Sequence, residues 1–110
     1  MDESNPLAIE VTQLHAEICS ALADPRRILL LYAISEKSRN VSDLADEVGI
    51  SQPAASRHLK ILRDRGLVQA SRRGSSIEYG LTDLRLISAL DLLRDFLRDR
   101  LVYRASLVQE

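Results

Sequence analysis

With 110 residues, 15 Lys and Arg against 16 Asp and Glu, the chain has room for one domain with a moderate core, and its formal charge of −1 excludes a generally basic protein. A single cysteine excludes an intrachain disulfide framework, and the absence of a secretory signal or a bilayer-length apolar run predicts a cytoplasmic protein without a membrane partner. The charge is uneven, however: positions 1 to 24 hold five acidic residues and no Lys or Arg, whereas positions 52 to 76 hold Arg57, Lys60, Arg63, Arg65, Arg72 and Arg73 against Asp64 alone. A local excess of this kind is an electrostatic footprint for phosphate.

In chain order, MDESNP is a polar, acidic start expected to fray, and Pro6 after Ser4-Asn5 is placed like a first-turn proline. Leu7, Val11, Leu14, Ile18 and Leu22 then follow helical spacing and predict a first helix of four to five turns. Asp24-Pro25 opens a second helix, packing through Ile28, Leu29, Leu31, Tyr32 and Ile34, and Glu36 to Asn40 reads as a polar break. The element from Val41 to Ile50 is short, with Ser42 as its expected cap, Leu44, Ala45 and Val48 on one side, and Gly49 ending it.

Ser51 before Gln52-Pro53 starts the next helix, since its hydroxyl can accept from a free amide and an early proline loses no helical bond. Ala55, Leu59 and Leu62 make an inward face; Gln52, Ser56, Arg57, Lys60 and Arg63 fall on the outward side. A short helix, a tight turn and a longer capped helix describe a helix-turn-helix, although two helices of an ordinary bundle look similar. Small residues at 54 to 56 would let the first turns press close to a neighbouring surface, and these turns of a recognition helix meet base edges in the major groove. After Gly66, Leu67 to Ser71 and Ile77 to Leu81 read as two strands around Arg72-Arg73-Gly74-Ser75-Ser76. Such a basic tip offers donors to phosphate or a minor groove; alone it could be a solvated turn.

From Thr82 the chain turns helical again, capped by Thr82 or Asp83, to about Val102 or beyond. Leu86, Leu90, Leu93, Leu97 and Leu101 form a stripe broadened by Ile87, Phe96 and Val102, while Asp91 with Arg94 and Asp95 with Arg98 are solvated pairs worth tenths of a kcal/mol. So apolar a helix on so small a domain needs a cover, and the expected cover is the first helix and a second copy of both, in a homodimer seated on Leu14, Ile18, Leu86, Leu90, Leu93 and Leu97. The alternative is a purely intrachain core helix. The expected fold class is mainly α with a small hairpin: about five helices and a two-stranded wing in one domain over 1–110. Its helix-turn-helix lies at 41–66 and its wing at 67–81, with helices for dimerisation at 1–23 and 82–110.

The segments ALADPRRILLLYAI, VSDLADEVGISQPAASRHLKILRDRGLV and RRGSSIEYGLTD, in unbroken order from Ala21 to Asp83, resemble the ArsR-type family of winged-helix repressors. The resemblance implies a homodimer on double-stranded operator DNA that leaves it when a small inducer, often a metal ion or a sulfur oxidant, acts. It places DNA contacts on Ser51, Gln52, Ser56, Arg57, His58 and Lys60 and on Arg72 and Arg73 of the wing; Arg63 and Ser75 join them from the outward face and the hairpin tip. His58, between Arg57 and Leu59, either touches phosphate or supports the packing of the helices.

The sensing motifs of the family do not carry over. Many metal-sensing members have paired cysteines at the start of the short helix or Asp and His ligands on the terminal helix; here those places read Asn40-Val41-Ser42-Asp43-Leu44 and a terminal helix without histidine. No cofactor is therefore assigned, and the candidate metal residues are His15 and Cys19, four apart on the first helix, whose pairs twofold symmetry could bring together as a metal site or an intersubunit disulfide. The plainer reading makes Cys19 a small buried core residue. No phosphate loop, nucleophile motif or metal triad points to an enzyme, and the competing class is a winged-helix module that binds protein rather than DNA.

Overall fold

The computed structural model describes residues 5–109; Asp2, Glu3 and Ser4 of the expected frayed start lie outside them. Helix α1 spans Pro6–Leu14, with the Asn5 side chain accepting from the Leu7 and Ala8 amides at 3.0 and 3.2 Å. The predicted single long helix then changes pitch. His15–Cys19 is a π-helical turn and Ala21–Ala23 a 3₁₀ turn. The Ser20 amide reaches back five residues to the His15 carbonyl (3.0 Å), and the Ala16 carbonyl takes the Ser20 hydroxyl (2.6 Å) and the Arg65 guanidinium. This is the usual way a π-turn redirects backbone acceptors to side chains. Ile18 and Leu22 pack on the core, whereas Cys19 is exposed, which corrects its reading as a buried residue.

Helix α2 (Pro25–Glu36) is capped by Asp24, whose carboxylate accepts from the Arg26 amide at 2.9 Å. It is the central helix, touching α3 (Val41–Val48), α4 (Gln52–Asp64) and strand β3 (Ser76–Leu81). With neighbours on several sides it buries Leu30, Leu31, Ala33 and Ile34, while Leu29, expected inside, is 52% exposed. The polar break holds a two-residue strand, β1 (Arg39–Asn40), pairing with Tyr79 and Glu78 of β3. The sheet is therefore three-stranded and antiparallel, in the order β1-β3-β2, where β2 is Val68–Arg73. Asn40, not Ser42, caps α3, its side chain accepting from the Asp43 amide at 2.8 Å.

Gly49 ends α3 with φ 78°, a left-handed conformation that glycine reaches without a Cβ penalty, and both its amide and that of Ile50 bond to the Ala45 carbonyl. This turn points α4 away from α3. Ala55, Leu59 and Leu62 of α4 are fully buried beside Leu30, Leu31 and Leu44, so the inward face is the one expected. β2 and β3 pair from Val68↔Leu81 to Arg73↔Ser76 across a two-residue loop, and positive φ at Gly74 alone suits a type II′ turn. At the base of this hairpin the Thr82 hydroxyl donates to the Gly66 and Leu67 carbonyls (2.8 and 3.1 Å), tying the wing to the end of α4.

Helix α5 (Arg85–Gln109) is capped by Asp83, which accepts from the Arg85 amide at 2.8 Å; Thr82 is spent on the wing. Only its start meets the core, through Leu86, Ile87 and Leu90 and through the Tyr32 hydroxyl, which donates to Asp91 at 2.6 Å. Arg94 bridges to Asp91 and lies over the Tyr32 ring, 5.0 Å from its centroid, so this pair is part of a clamp rather than free in solvent. Burial raises the Tyr32 hydroxyl pKa, helped by the bond to Asp91, and keeps the proton that makes the clamp. Beyond it α5 projects: the radius of gyration is 17.1 Å, against about 13 Å for a rounded domain of this length. Five helices, a helix-turn-helix at α3 and α4 and a hairpin after it make the fold a winged helix-turn-helix.

Candidate nucleic-acid interface

The outward side of α4 is built by its cap and its pitch. The Ser51 hydroxyl oxygen accepts from the Ala54 amide at 3.2 Å, which leaves its O–H free to donate outward. Gln52, Ser56, Arg57, Lys60 and Arg63 are all exposed, as are Arg72, Arg73 and Ser75 at the wing. Among the described residues Arg57, Arg63 and Arg72 have no acidic partner, so three guanidiniums stand uncompensated across helix and wing. Lys60 is held by Asp64 at 2.9 Å, and Arg73 lies 4.0 Å from Glu78. Both are exposed contacts that a phosphate can exchange.

Between α4 and the wing runs a cleft of about 340 Å³ lined by Ser56, Lys60, Arg63, Asp64 and Tyr79. Tyr79 and Asp64 were not singled out in the sequence. Tyr79 reaches the cleft because β3 is the middle strand of the sheet, pairing with Ala70 on one side and Arg39 on the other. Its place on an alternating strand was legible, but not which helix that strand faces. Arg65 departs from the cationic set: it donates to the Ala16 carbonyl and, at 2.8 Å, to the Ser20 hydroxyl, fastening the end of α4 to the N-terminal helical segment.

His58 also departs, and the structure decides between its two readings. The residue is 9% exposed, and its Nδ1 lies 3.3 Å from Arg27 Nη1, so it packs inside the helix-turn-helix and is not presented to a phosphate. Burial lowers its pKa below the ordinary histidine value; Asp24 opposes this, and the Arg26, Arg27 and Arg57 cations reinforce it. Asp24 itself is lowered to about 2, first by the side-chain bonds from Arg26 and then by its backbone amide.

His15 and Cys19 are both exposed on the π-turn. They supply two ligands from one chain, short of the four of a structural zinc site, and no group of three or more His, Cys, Asp or Glu among the described residues is placed to hold a metal ion. Of the expected dimer residues, Leu14, Leu93 and Leu97 are exposed, whereas Leu90 is buried in the chain's own core and Ile18 and Leu86 are partly packed against it. No helix among the described residues is long and apolar enough to cross a membrane.

Comparison with known proteins agrees with this geometry. A family model described as "Bacterial regulatory protein, arsR family" matches residues 24–70, the span from the α2 cap to β2. The chain is 38% identical over 88 residues to the HTH-type transcriptional regulator NmtR of Mycobacterium tuberculosis, covering 80% of this chain and 73% of that one. It is 34% identical over 93 residues to a transcriptional repressor SmtB homolog of Synechocystis, covering 84% and 70%. The crystal structure of NolR from Sinorhizobium fredii superposes with a TM-score of 0.74 at 32% identity, covering 87% of this chain and 96% of that one. A solution structure of a homodimeric winged helix-turn-helix DNA-binding domain from Mycobacterium bovis shares the fold, with a TM-score of 0.78 at 24% identity over 94% and 95% of the two chains.

Proposed function

The chain belongs to the ArsR family of bacterial regulatory proteins, and from that premise we propose that it represses transcription as a homodimer gripping an operator with α4 and the wing of each copy. It is a DNA-binding transcriptional regulator and not an enzyme, and the cytoplasm, where the chromosome lies, is its place of action. The observation that carries the DNA-gripping surface is the uncompensated Arg57, Arg63 and Arg72 beside exposed Gln52 and Ser56. Arg57, with paired N–H donors, and Gln52, with an amide donor and acceptor side by side, suit base edges; Ser51, Ser56, Lys60, Arg63, Arg72, Arg73 and Ser75 set register on phosphates. Two copies would place their recognition helices about one helical turn, roughly 34 Å, apart on an imperfect palindrome. An inducer acts only if it binds the operator-competent and released forms with different affinity.

A mobility-shift titration on the DNA upstream of the protein's own gene tests this. Affinity should fall steeply with added salt, and Arg57→Ala should weaken it by about 1–3 kcal/mol with an unchanged circular dichroism spectrum. A salt-insensitive or absent shift would favour a protein-binding module instead.

A further inference from the structure

His58 is the one polar side chain in the buried class among the described residues, and it sits on the helix proposed to read DNA. A guanidinium only donates, so for the 3.3 Å approach of Arg27 Nη1 to be a hydrogen bond Nδ1 must offer a lone pair, which assigns a neutral ring with its proton on Nε2. The same guanidinium donates from Nε to the Ala21 carbonyl at 2.6 Å and from Nη2 to the Ser20 carbonyl at 3.4 Å, and lies 4.0 Å from the Asp24 carboxylate. One arginine thus joins the end of the N-terminal helical segment, the cap of α2 and the recognition helix.

We propose that His58 is a proton-operated latch: neutral, it accepts from Arg27 and holds α4 against the junction of the N-terminal segment with α2; protonated, it faces Arg27 cation to cation and the operator is released. The latch rests on the DNA-binding reading above and names the proton as an effector. The charged groups acting on the ring are Asp24, Arg26 and Arg27 from α2 and its cap, and Arg57 from α4 itself. On α3, Asp43, Asp46 and Glu47 line a separate cleft with Lys37 and Arg39, and β2 contributes only Arg72 and Arg73 at its far end. Arg65, at the end of α4, is turned to Ala16 and Ser20. The cations outnumber Asp24 and the site is buried, so the ring's proton affinity is low while the latch is closed. A released ring regains the ordinary value, near 6.5, and therefore acidification through that range favours release. A phosphate contact would give the opposite sign, because bound DNA would attract a cationic ring.

The test uses the full chain in a His15→Gln background, which leaves His58 as the sole imidazole. Operator affinity is measured from pH 7.5 to 5.5 at constant ionic strength, and the His58 ring proton is titrated by NMR. Affinity should fall severalfold over this range, because acid favours whichever form binds the proton more tightly, and the ring should titrate below the ordinary histidine value. His58→Asn, whose amide oxygen can still accept from Arg27, should show no pH dependence over this range. Affinity that is constant or rises on acidification, an equal fall in His58→Asn, or a ring titrating at or above the ordinary value would each overturn the latch. No operator binding at pH 7.5 would sink the repressor reading and the release step with it, while the ring titration still decides whether Arg27 holds the imidazole neutral.

Discussion

At the scale of single residues, the proposed DNA face carries its own counter-charge. Asp64 lies one helical turn beyond Lys60 and holds its ammonium at 2.9 Å, on the rim of the cleft shared with Arg63 and Tyr79. A phosphate entering that cleft must draw Lys60 away and meets the Asp64 carboxylate. Asp64→Asn should therefore tighten operator binding by about two- to fivefold at low salt, since exposed ion pairs are worth up to about 1 kcal/mol. It should also steepen the salt dependence by about one counterion. Equal or weaker binding by the variant would show that the carboxylate lies outside the DNA footprint. Sequence spacing placed Lys60, Arg57 and Arg63 on the outer side of α4. The same spacing sets His58 three residues after Ala55 and four before Leu62, at the edge of the inward face, where a histidine's burial still depends on what packs against it. Here that is Arg27, 31 positions away.

At the scale of elements, starts and stops were read from chemistry acting within a few residues, and most of them stand where the chain is its own partner. Asn5, Asp24, Ser51 and Asp83 each cap the helix that follows. One cap moved: Asn40 displaced Ser42 at the start of α3, because pairing of Arg39 and Asn40 with β3 sets where that helix begins, and two residues of strand are too few for any periodicity to reveal. The caps also predict a response to acid. Asp24 is lowered from 3.8 to about 2 by bonds that exist only in the folded chain, so its contribution to stability is fully present above 3.8 and is lost as pH falls toward 2. Asp24→Asn should accordingly melt below the parent at pH 7, and thermal unfolding followed at pH 4.5, 3.5 and 2.5 should show the gap closing. A gap that stays constant would mean that the amide loses something other than charge.

At the scale of the whole molecule, the described chain is incomplete as a hydrophobic object. Leu7, Ile9, Val11 and Leu14 of α1 and Leu93, Phe96, Leu97, Leu101 and Val102 of α5 are exposed, and Leu14 and Ile18 share a depression of about 460 Å³ with Leu86 and Ala89 where the two helices approach. Exposed apolar side chains on two helices are what a second copy would cover, and such a pairing would give the proposed grip on DNA a twofold geometry. Leu97→Glu should yield a folded monomer by sedimentation, with operator affinity reduced on the order of 100-fold as one binding event no longer tethers the other. A variant that sediments as a dimer would place the interface elsewhere.

What the amino-acid order settled alone was the succession of helices, the helix-turn-helix, the wing and the cationic outer face of α4, because capping, helical pitch and turn chemistry act over a few neighbouring residues. Tertiary structure alone decided that Leu90 serves the chain's own core while Leu93 and Leu97 stay exposed, that Leu29 rather than Leu30 faces outward, that a third strand joins the wing, and that His58 turns inward to Arg27. Each of these depends on which surfaces meet across tens of residues, and periodicity along one element carries no information about the element that will face it.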